Sequence, residues 1–244
     1  MIAVLKSLFL RTANRLPKGR PWADAQEYEF ENARLYMESE QFKGVLEMIN
    51  SGDKAISRGY VDPLTLKEFF SDDMACWNVF VQHIRNKTVL EIGPCLATQL
   101  SLWDVAKNRV VIEPLLTKIQ NYQMARFGMT GFPGVVGHTC PAEERVESLV
   151  GSVDGAVFIR NCIDHSPQWP FILSNIADYL VSGGYLLLWN DLAHPPGFED
   201  GHYDITSNIE SFRHLLRNMG FDVLSEYQNL ESPCLNYGCR AIKR

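Results

Sequence analysis

The feature that most constrains the fold is a rhythm that begins at residue 87 and continues to the end of the sequence. Short apolar runs alternate with longer amphipathic segments. The first five runs are continuously apolar, which is typical of parallel strands that are covered by helices on both faces. This repetition predicts an α/β fold built on a doubly wound, largely parallel sheet.

The rhythm predicts seven strands with helices between them. The strands are expected at residues 88–93, 109–114, 134–139, 155–161, 184–190, 221–227 and 238–244. The helices are expected at residues 97–106, 116–127, 142–149, 170–181 and 208–219. Only a loop separates the last two strands, which indicates an antiparallel pair at one end of the sheet.

The chain before residue 85 has a different character. Residues 21–84 have apolar side chains at three- and four-residue spacings and are predicted to form a helical cap. Residues 1–20 hold five basic groups and no acid, and their apolar side chains share one helical face. Through residues 1–16 such a helix would contact an anionic membrane surface, or it would pack on its own domain or a second subunit.

Charge and cysteine usage narrow the class of protein. The net charge of the 244-residue chain is −6, and the segment after the basic N-terminus is more acidic still. An acidic surface argues against nucleic-acid binding, which requires a basic face. None of the six cysteines forms a C-x-x-C pair. They are expected to be reduced thiols of a cytoplasmic protein, although Cys234 and Cys239 could pair.

The segment after the first predicted strand has the features of a nucleotide-binding loop. Ligands of open α/β sheets lie at the carboxyl ends of the strands. There the sequence reads Glu91-Ile-Gly93-Pro-Cys95-Leu-Ala97, and Gly93 would let the backbone turn tightly. Glu113 follows 22 positions after Glu91, at the end of the second strand, where an acid accepts hydrogen bonds from ribose hydroxyls.

These motifs resemble those of class I S-adenosylmethionine-dependent methyltransferases over about residues 85–244. The resemblance rests on five segments in order, VLEIGPCLAT, VVIEP, CPAEE, IRNCIDH and LVSGGYLLLWND. It implies a Rossmann-like sheet of seven strands whose last strand is antiparallel. It also implies that residues 85–244 bind S-adenosylmethionine as the cofactor.

The resemblance implies a role for each matching residue. Gly93 would let the backbone pass the methionine part of the cofactor, and Glu91 would hold the loop or the cofactor's amino group. Glu113 would bind the ribose. Ala142 and Glu143 would contact adenine. Asn161 would contact the methionine end of the cofactor.

The loop departs from the family pattern at two positions. Cys95 replaces the middle glycine and Ala97 the third, so Cys95 would border the cofactor and could weaken its binding. One alternative is therefore a non-catalytic scaffold that has kept the fold and lost the cofactor. A nicotinamide dehydrogenase is disfavoured, because Gly93 alone remains of the G-x-G-x-x-G pattern that binds a pyrophosphate.

Three of the six histidines lie in the loops after the fourth and fifth strands. They are His165, His194 and His202, and an imidazole can take a proton from a hydroxyl near neutral pH. They are candidate catalytic bases, although each could also be structural. The favoured function is O-methylation of a small molecule or a saccharide.

Two further features of the acceptor side remain open. Oxygen ligands for Mg²⁺ occur at Asp164, Asn190 and Asp191, but acids at strand ends are common without metal, and no metal site is predicted. The cap offers aromatic side chains that would suit a sugar or ring acceptor or would simply belong to the core, namely Trp22, Tyr28, Phe30, Tyr36 and Tyr60.

Overall fold

The computed structural model describes residues 22–197 and 202–244. The basic helix predicted for residues 1–20 lies outside this range. Among these residues, four α-helices precede the sheet: α1 (Trp22–Met37), α2 (Glu40–Ser51), α3 (Pro63–Phe70) and α4 (Met74–Ile84). Side chains of Ser39, Asp62 and Asp73 accept hydrogen bonds from the first turns of α2, α3 and α4, so each break between helices coincides with an N-cap.

The sheet has the seven strands that the sequence predicts. They are β1 (Thr88–Ile92), β2 (Asn108–Ile112), β3 (Val136–His138), β4 (Ala156–Arg160), β5 (Tyr185–Ala193), β6 (Phe221–Tyr227) and β7 (Leu235–Lys243). Their order is β3-β2-β1-β4-β5-β7-β6. The first five strands are parallel, and β7 runs antiparallel to both β5 and β6. The prediction of a doubly wound methyltransferase-type sheet with an antiparallel last strand is therefore confirmed.

Three longer helices connect the strands, α5 (Leu116–Phe127), α6 (Trp169–Tyr179) and α7 (Ile209–Asn218). The helix predicted for residues 97–106 is wrong, because only a 3₁₀ turn, Gln99–Leu102, forms there. Side chains of other elements instead donate hydrogen bonds to backbone carbonyls at this segment. Gln123 donates to the Leu96 carbonyl at 2.7 Å. Arg109 donates to the carbonyls of Leu100 and Ser101, at 3.3 Å each.

The helix predicted for residues 142–149 is wrong for a similar reason. Turns and a 3₁₀ segment, Glu147–Leu149, occupy this stretch. The Asn175 side-chain amide on α6 donates to the carbonyls of Ala142 and Glu143, at 3.0 Å each. These two hydrogen bonds hold Ala142 and Glu143 in a turn.

The core consists of one apolar cluster on each face of the sheet. Phe158 on β4 belongs to the cluster that contains the cap side chains Phe42, Phe69 and Phe80. Its neighbour Ile159 belongs to the other cluster, with α6 and α7. This alternation is the ordinary two-residue period of a strand. The cap is thus part of the same core as one face of the sheet.

The cap aromatic residues divide between core and partial exposure. Phe30 and Tyr36 are buried, whereas Tyr28 and Tyr60 are half-buried. All six cysteines are free thiols, so Cys234 and Cys239 do not pair. Within residues 22–197 and 202–244, no helix has the length and apolar character needed to cross a membrane.

Candidate active site

The candidate site lies at the carboxyl ends of β1, β2, β4 and β5, where the strand order reverses direction between β1 and β4. The loop after β1 turns at Gly93, which has a φ of +65°. The Gly93 N–H donates to the Ile112 carbonyl at 3.0 Å. A Cβ atom at this position would lie 2.6 Å from both Cβ and Sγ of Cys162. Only glycine fits here, both for its backbone angle and for its lack of a side chain.

Cys95 adopts a backbone conformation that favours glycine, with a φ of +59°. This left-handed angle costs a non-glycine residue about 1–2 kcal/mol. The Cys95 N–H donates to Oε2 of Glu113 at 3.1 Å. The side chain packs against the core cluster that the cap shares with the sheet. The cysteine is therefore accommodated in a glycine-like turn, with its side chain packed against this shared cluster.

Glu113 holds the start of the loop through its carboxylate. Oε2 accepts from the Cys95 N–H, and Oε1 accepts from the Leu115 N–H at 3.1 Å. Burial raises the pKa of Glu113 to about 7, and these two N–H groups oppose that rise. A carboxylate has about four acceptor positions. Two therefore remain for further donors such as hydroxyl groups.

Glu91 holds the other end of the same loop. Its Oε2 accepts from the Thr98 hydroxyl and, at 3.0 Å, from the Gln99 N–H. Burial raises the pKa of Glu91 to about 7. These contacts attach Glu91 to the loop, and its role toward a cofactor stays a prediction.

A third acid reaches this region from the cap, and the sequence analysis missed it. Glu29 on α1 is half-buried, and burial raises its pKa against the opposing charge of His165. The charge of Glu29 in turn raises the pKa of both Glu113 and Cys95. No local pattern marks Glu29, because it reaches the site only through the packing of α1 over the sheet.

Asn161 follows β4 and faces the same region. Its φ is +50°, which asparagine tolerates better than most residues, and its N–H donates to the Trp189 carbonyl at 2.7 Å. Its side-chain Oδ1 is buried and has no hydrogen-bond partner among the described residues. An unpaired buried acceptor is costly, so this atom is suited to a donor from a bound molecule.

The loop after β4 joins the other loops through short contacts. Asn190 Oδ1 accepts from the Cys162 and Ile163 N–H groups, at 3.0 Å each. The Ser166 hydroxyl donates to Glu143, which fixes the segment that follows β3. Burial raises the pKa of the Cys162 thiol well above its usual value. Four nearby carboxylates raise it further, namely those of Asp164, Glu113, Glu91 and Glu143. Cys162 is therefore a neutral thiol at the point where the loops meet.

The three predicted histidines come together beside this point. The ring centroid of His202 lies 4.4 Å from that of His165 and 5.1 Å from that of His194. The Tyr203 N–H donates to the Asp164 carbonyl at 2.7 Å, which attaches the His202 segment to the loop after β4.

His194 differs from the other two, because a carboxylate faces each of its ring nitrogens. Nε2 lies 3.2 Å from Asp164 Oδ2, and Nδ1 lies 3.1 Å from Asp204 Oδ1. Burial lowers the pKa of His194, but the carboxylates outweigh it and raise the pKa overall. A protonated imidazole that donates to two carboxylates is poorly placed to act as a base. Asp204, which the sequence analysis did not single out, contributes to this arrangement.

Asp164 is fully buried and accepts from several donors. Burial would raise its pKa, but His165, His194, His202 and the Asn190 amide together hold the pKa below its usual value. The Asn190 amide donates to Oδ1 at 2.8 Å. Asp164 is thus ionised and is fixed in one orientation next to His165 and His202.

Comparison with known proteins gives similarity of fold only. No family model matches the sequence, and no curated protein matches it. A methyltransferase structure from Aquifex aeolicus is 13% identical and covers 75% of this chain and 94% of its own, with a TM-score of 0.49. A methyltransferase structure from Mesorhizobium loti is 8% identical and covers 70% of this chain and 99% of its own, with a TM-score of 0.48.

A third similar structure is the 1,6-didemethyltoxoflavin-N1-methyltransferase of Burkholderia thailandensis, determined with S-adenosylhomocysteine bound. It is 14% identical and covers 83% of this chain and 89% of its own, with a TM-score of 0.47. Identities and TM-scores this low carry no conclusion about activity. The methyltransferase-type fold follows from the strand order of the chain itself.

Proposed function

We propose that this protein is an S-adenosylmethionine-dependent methyltransferase. The observation that carries the proposal is the pair of acceptors on either side of the Gly93 turn. Glu113, at the end of β2, keeps two acceptor positions for ribose hydroxyls. Asn161, at the end of β4, has a buried Oδ1 without a partner in the part of the chain described, and the cofactor's amino group would supply one.

The charge of the pocket supports the same cofactor. Glu29, Glu91 and Glu113 lie close enough that Glu29 and Glu91 both raise the pKa of Glu113. S-adenosylmethionine brings a sulfonium and an ammonium group, which would stabilise the ionised carboxylates. Ala142 and Glu143 lie after β3, on the adenine side of the proposed position.

The histidine cluster supports a hydroxyl group as the methyl acceptor. A hydroxyl must lose its proton as its oxygen attacks the methyl group, and imidazole acts near neutral pH. His165 and His202, whose ring centroids lie 4.4 Å apart, are the members proposed for this role. The acceptor is a small molecule or a saccharide that enters between the cap and these loops, and the protein acts in the cytoplasm.

The second candidate function is a non-catalytic scaffold of the same fold. The observation that favours it is Cys95, which places a side chain where the family pattern has a glycine. In this case the loop would hold its shape through Glu91 and Glu113 without a cofactor. The basic segment of residues 1–16 would then attach the protein to a membrane or to a partner.

Titration calorimetry with S-adenosylmethionine and S-adenosylhomocysteine separates the two functions. We expect micromolar binding by the wild-type protein, with a loss of at least about tenfold in Glu113→Ala. Glu47→Ala, at an exposed position on α2, is the matched control and should bind as the wild type does. Absence of binding by a folded wild-type protein at about 1 mM ligand would reject the enzyme and favour the scaffold.

A test for the acceptor follows once the cofactor binds. Candidate hydroxyl compounds and saccharides would be screened for formation of S-adenosylhomocysteine. We expect His165→Ala and His202→Ala to lower kcat by about 10²–10⁴-fold and to leave cofactor affinity unchanged. Equal loss of cofactor affinity in both variants would mean that the cluster shapes the cofactor pocket and does not activate the acceptor.

A further inference from the structure

Asp164, His165 and His202 form a cluster of metal-ligand type at the acceptor end of the site. Each offers one ligand atom, and these atoms all lie within 4.8 Å of one another. A tetrahedral ion with bonds of about 2.1 Å holds its ligand atoms about 3.4 Å apart. Small rotations of the two imidazoles would therefore bring the three atoms into range.

The chemistry of the set points to a particular kind of ion. Two imidazoles and one carboxylate are a donor set for zinc, iron and other divalent transition metals, whereas Mg²⁺ prefers oxygen ligands alone. The tilt of 55° between the rings of His165 and His202 shows that they are not stacked face to face. A set of three protein ligands leaves at least one coordination position open.

Asp164 has the surroundings of a metal-ligating carboxylate. It is fully buried, and its two oxygens accept from the Asn190 amide and from His194 Nε2. Each oxygen keeps a further acceptor position. Outer hydrogen bonds of this kind orient metal ligands and are part of most metal sites.

A second group, Asp191, His194 and Cys234, also has ligand atoms within 4.8 Å of one another. It is less suited to a metal, because both ring nitrogens of His194 already face the carboxylates of Asp164 and Asp204. Burial also raises the pKa of the Cys234 thiol to about 11, which disfavours the thiolate that metals bind. The two groups differ in their metal ligands, because only the second contains a thiol, and an experiment can distinguish them on that ground.

We propose that Asp164, His165 and His202 bind one divalent transition-metal ion, with zinc the best fit to the donor set. This site goes beyond the cofactor pocket and does not depend on it. If the proposed methyl transfer also holds, the open coordination position takes the acceptor's hydroxyl oxygen. In that metal-bound form His165 and His202 would hold the ion, and this role would replace the one proposed above, in which they take the acceptor's proton.

The resulting reaction balances without another reactant. The metal-bound O–H loses its proton to solvent, since a bound cation lowers the pKa of an oxygen ligand. The oxygen lone pair forms a bond to the methyl carbon, and the carbon–sulfur electron pair returns to sulfur. The products are the methyl ether and neutral S-adenosylhomocysteine.

Metal binding can be measured without any activity. The full-length protein would be stripped with a chelator and dialysed against Zn²⁺ or Co²⁺, and bound metal would be counted by elemental analysis. We expect about one ion per chain, and a loss of affinity of at least about a hundredfold in His165→Ala and in His202→Gln. His214→Ala removes an exposed histidine on α7 and is the matched control, which should bind as the wild type does.

The Co²⁺ form distinguishes the two groups by its absorption. A site with nitrogen and oxygen ligands gives only weak visible bands, whereas a thiolate ligand adds an intense near-ultraviolet band. We expect no such band and no effect of Cys234→Ser. A thiolate band that Cys234→Ser abolishes would overturn the proposal in favour of the second group.

Absence of bound metal in the wild-type protein would also overturn the proposal. The same holds if His165→Ala and His202→Gln bind metal as tightly as the wild type does. His202 lies in a loop, so its variant tests the site even if His165→Ala fails to fold. Calorimetry with S-adenosylmethionine on the metal-free protein is scored separately. Cofactor binding without metal binding would reject this site alone, and metal binding without cofactor binding would reject the proposed enzyme alone.

Discussion

Glu91 and Glu113 are both buried acids beside one loop, yet their hydrogen bonds predict different responses to glutamine. Both donors to Glu91 use the same oxygen, Oε2, so the carbonyl of a glutamine can keep both bonds. The donors to Glu113 use one oxygen each, so an amide NH₂ would face an N–H group. Burial raises both pKa values to about 7, so glutamine removes a similar ionisation cost at either position. We therefore expect Glu113→Gln to be less stable than Glu91→Gln by about 1–3 kcal/mol at pH 8, because it alone loses a hydrogen bond.

Glu91→Gln, which keeps both hydrogen bonds, should be more stable than the wild type at that pH. The folded-state pKa of Glu91 is raised to about 7, so the stability that this group contributes is present below about pH 4.5 and lost as the pH rises through 7. Glutamine removes that loss, and we expect the free energy of unfolding at pH 8 to rise by about 1–3 kcal/mol. Urea unfolding at pH 5.5 and pH 8 tests both variants. Equal destabilisation of the two at pH 8 would contradict this account of the hydrogen bonds.

Cys95 is the residue on which the enzyme and the scaffold differ most. In Cys95→Gly the relief of left-handed strain and the greater freedom of the unfolded chain nearly cancel, so we expect stability to change by less than about 1 kcal/mol. The Cys95 side chain packs against the core cluster that the cap shares with the sheet, so we expect affinity for S-adenosylmethionine to change by less than about threefold. Calorimetry measures this directly. A gain of more than about tenfold would mean that the sulfur obstructs the cofactor.

At the scale of elements, the sequence predicts the strands much better than the short helices. Continuously apolar runs identify buried parallel strands, and all seven are present with shifted ends. Residues 97–106 and 142–149 have helical patterns, but hydrogen bonds from distant side chains such as Gln123 and Asn175 hold the backbone at these segments in turns. Such contacts form only in the folded chain, so no local pattern contains them.

The same distinction applies to the candidate site. His165, His194 and His202 could be placed together from the sequence because each lies in a loop at the carboxyl end of a parallel strand. Glu29 and Asp204 could not, because one reaches the site by the packing of α1 and the other by a contact across a loop. The roles of all these residues in binding and catalysis stay predictions until variants are measured.

A buried ion pair connects the cap to the end of β4. Arg160 Nη2 lies 2.7 Å from Glu68 Oε2 on α3, and the two side chains are only 7% and 5% exposed. Arg160 also lies over the rings of Phe69 and Phe158, at 5.6 and 5.3 Å. Removing one partner leaves a buried charge without compensation, so Glu68→Gln should lower the free energy of unfolding by about 3–5 kcal/mol.

The double variant Glu68→Met with Arg160→Met is the control for this prediction. Apolar side chains of similar volume often replace a buried ion pair without loss of stability. We therefore expect the double variant to be more stable than Glu68→Gln in urea unfolding. If both single and double variants matched the wild type, the ion pair would contribute nothing to the attachment of the cap.

For the whole molecule, the shared core predicts that the cap and the sheet unfold together. Phe42, Phe69 and Phe80 of the cap belong to the same apolar cluster as Phe158 and Leu187 of the sheet. Native-state hydrogen exchange should give slowly exchanging amides of α2, α4 and β4 the same free energy of opening within about 1 kcal/mol. A separate transition, in which α2 and α4 open at clearly lower free energy than β4, would identify the cap as an independent unit.

The distribution of charge over the whole molecule makes a last prediction about the cofactor. The chain carries a net charge of −6, and its candidate pocket gathers Glu29, Glu91 and Glu113. The pKa values of Glu91 and Glu113 are raised to about 7, so both carboxylates ionise between pH 6 and pH 8. Ionised carboxylates attract the positive sulfonium of S-adenosylmethionine and strengthen its binding. S-adenosylhomocysteine has no sulfonium and gains no such attraction.

We therefore expect the ratio of the two affinities to shift toward S-adenosylmethionine by about three- to tenfold from pH 6 to pH 8. Binding of S-adenosylmethionine near pH 7 should also release protons, because the sulfonium lowers the pKa of both carboxyl groups. Calorimetry in two buffers of different ionisation enthalpy measures that release, and Glu91→Gln should reduce it. A ratio that stays constant with pH would show that these carboxylates do not sense the sulfonium, and the cofactor's methionine end would then lie elsewhere.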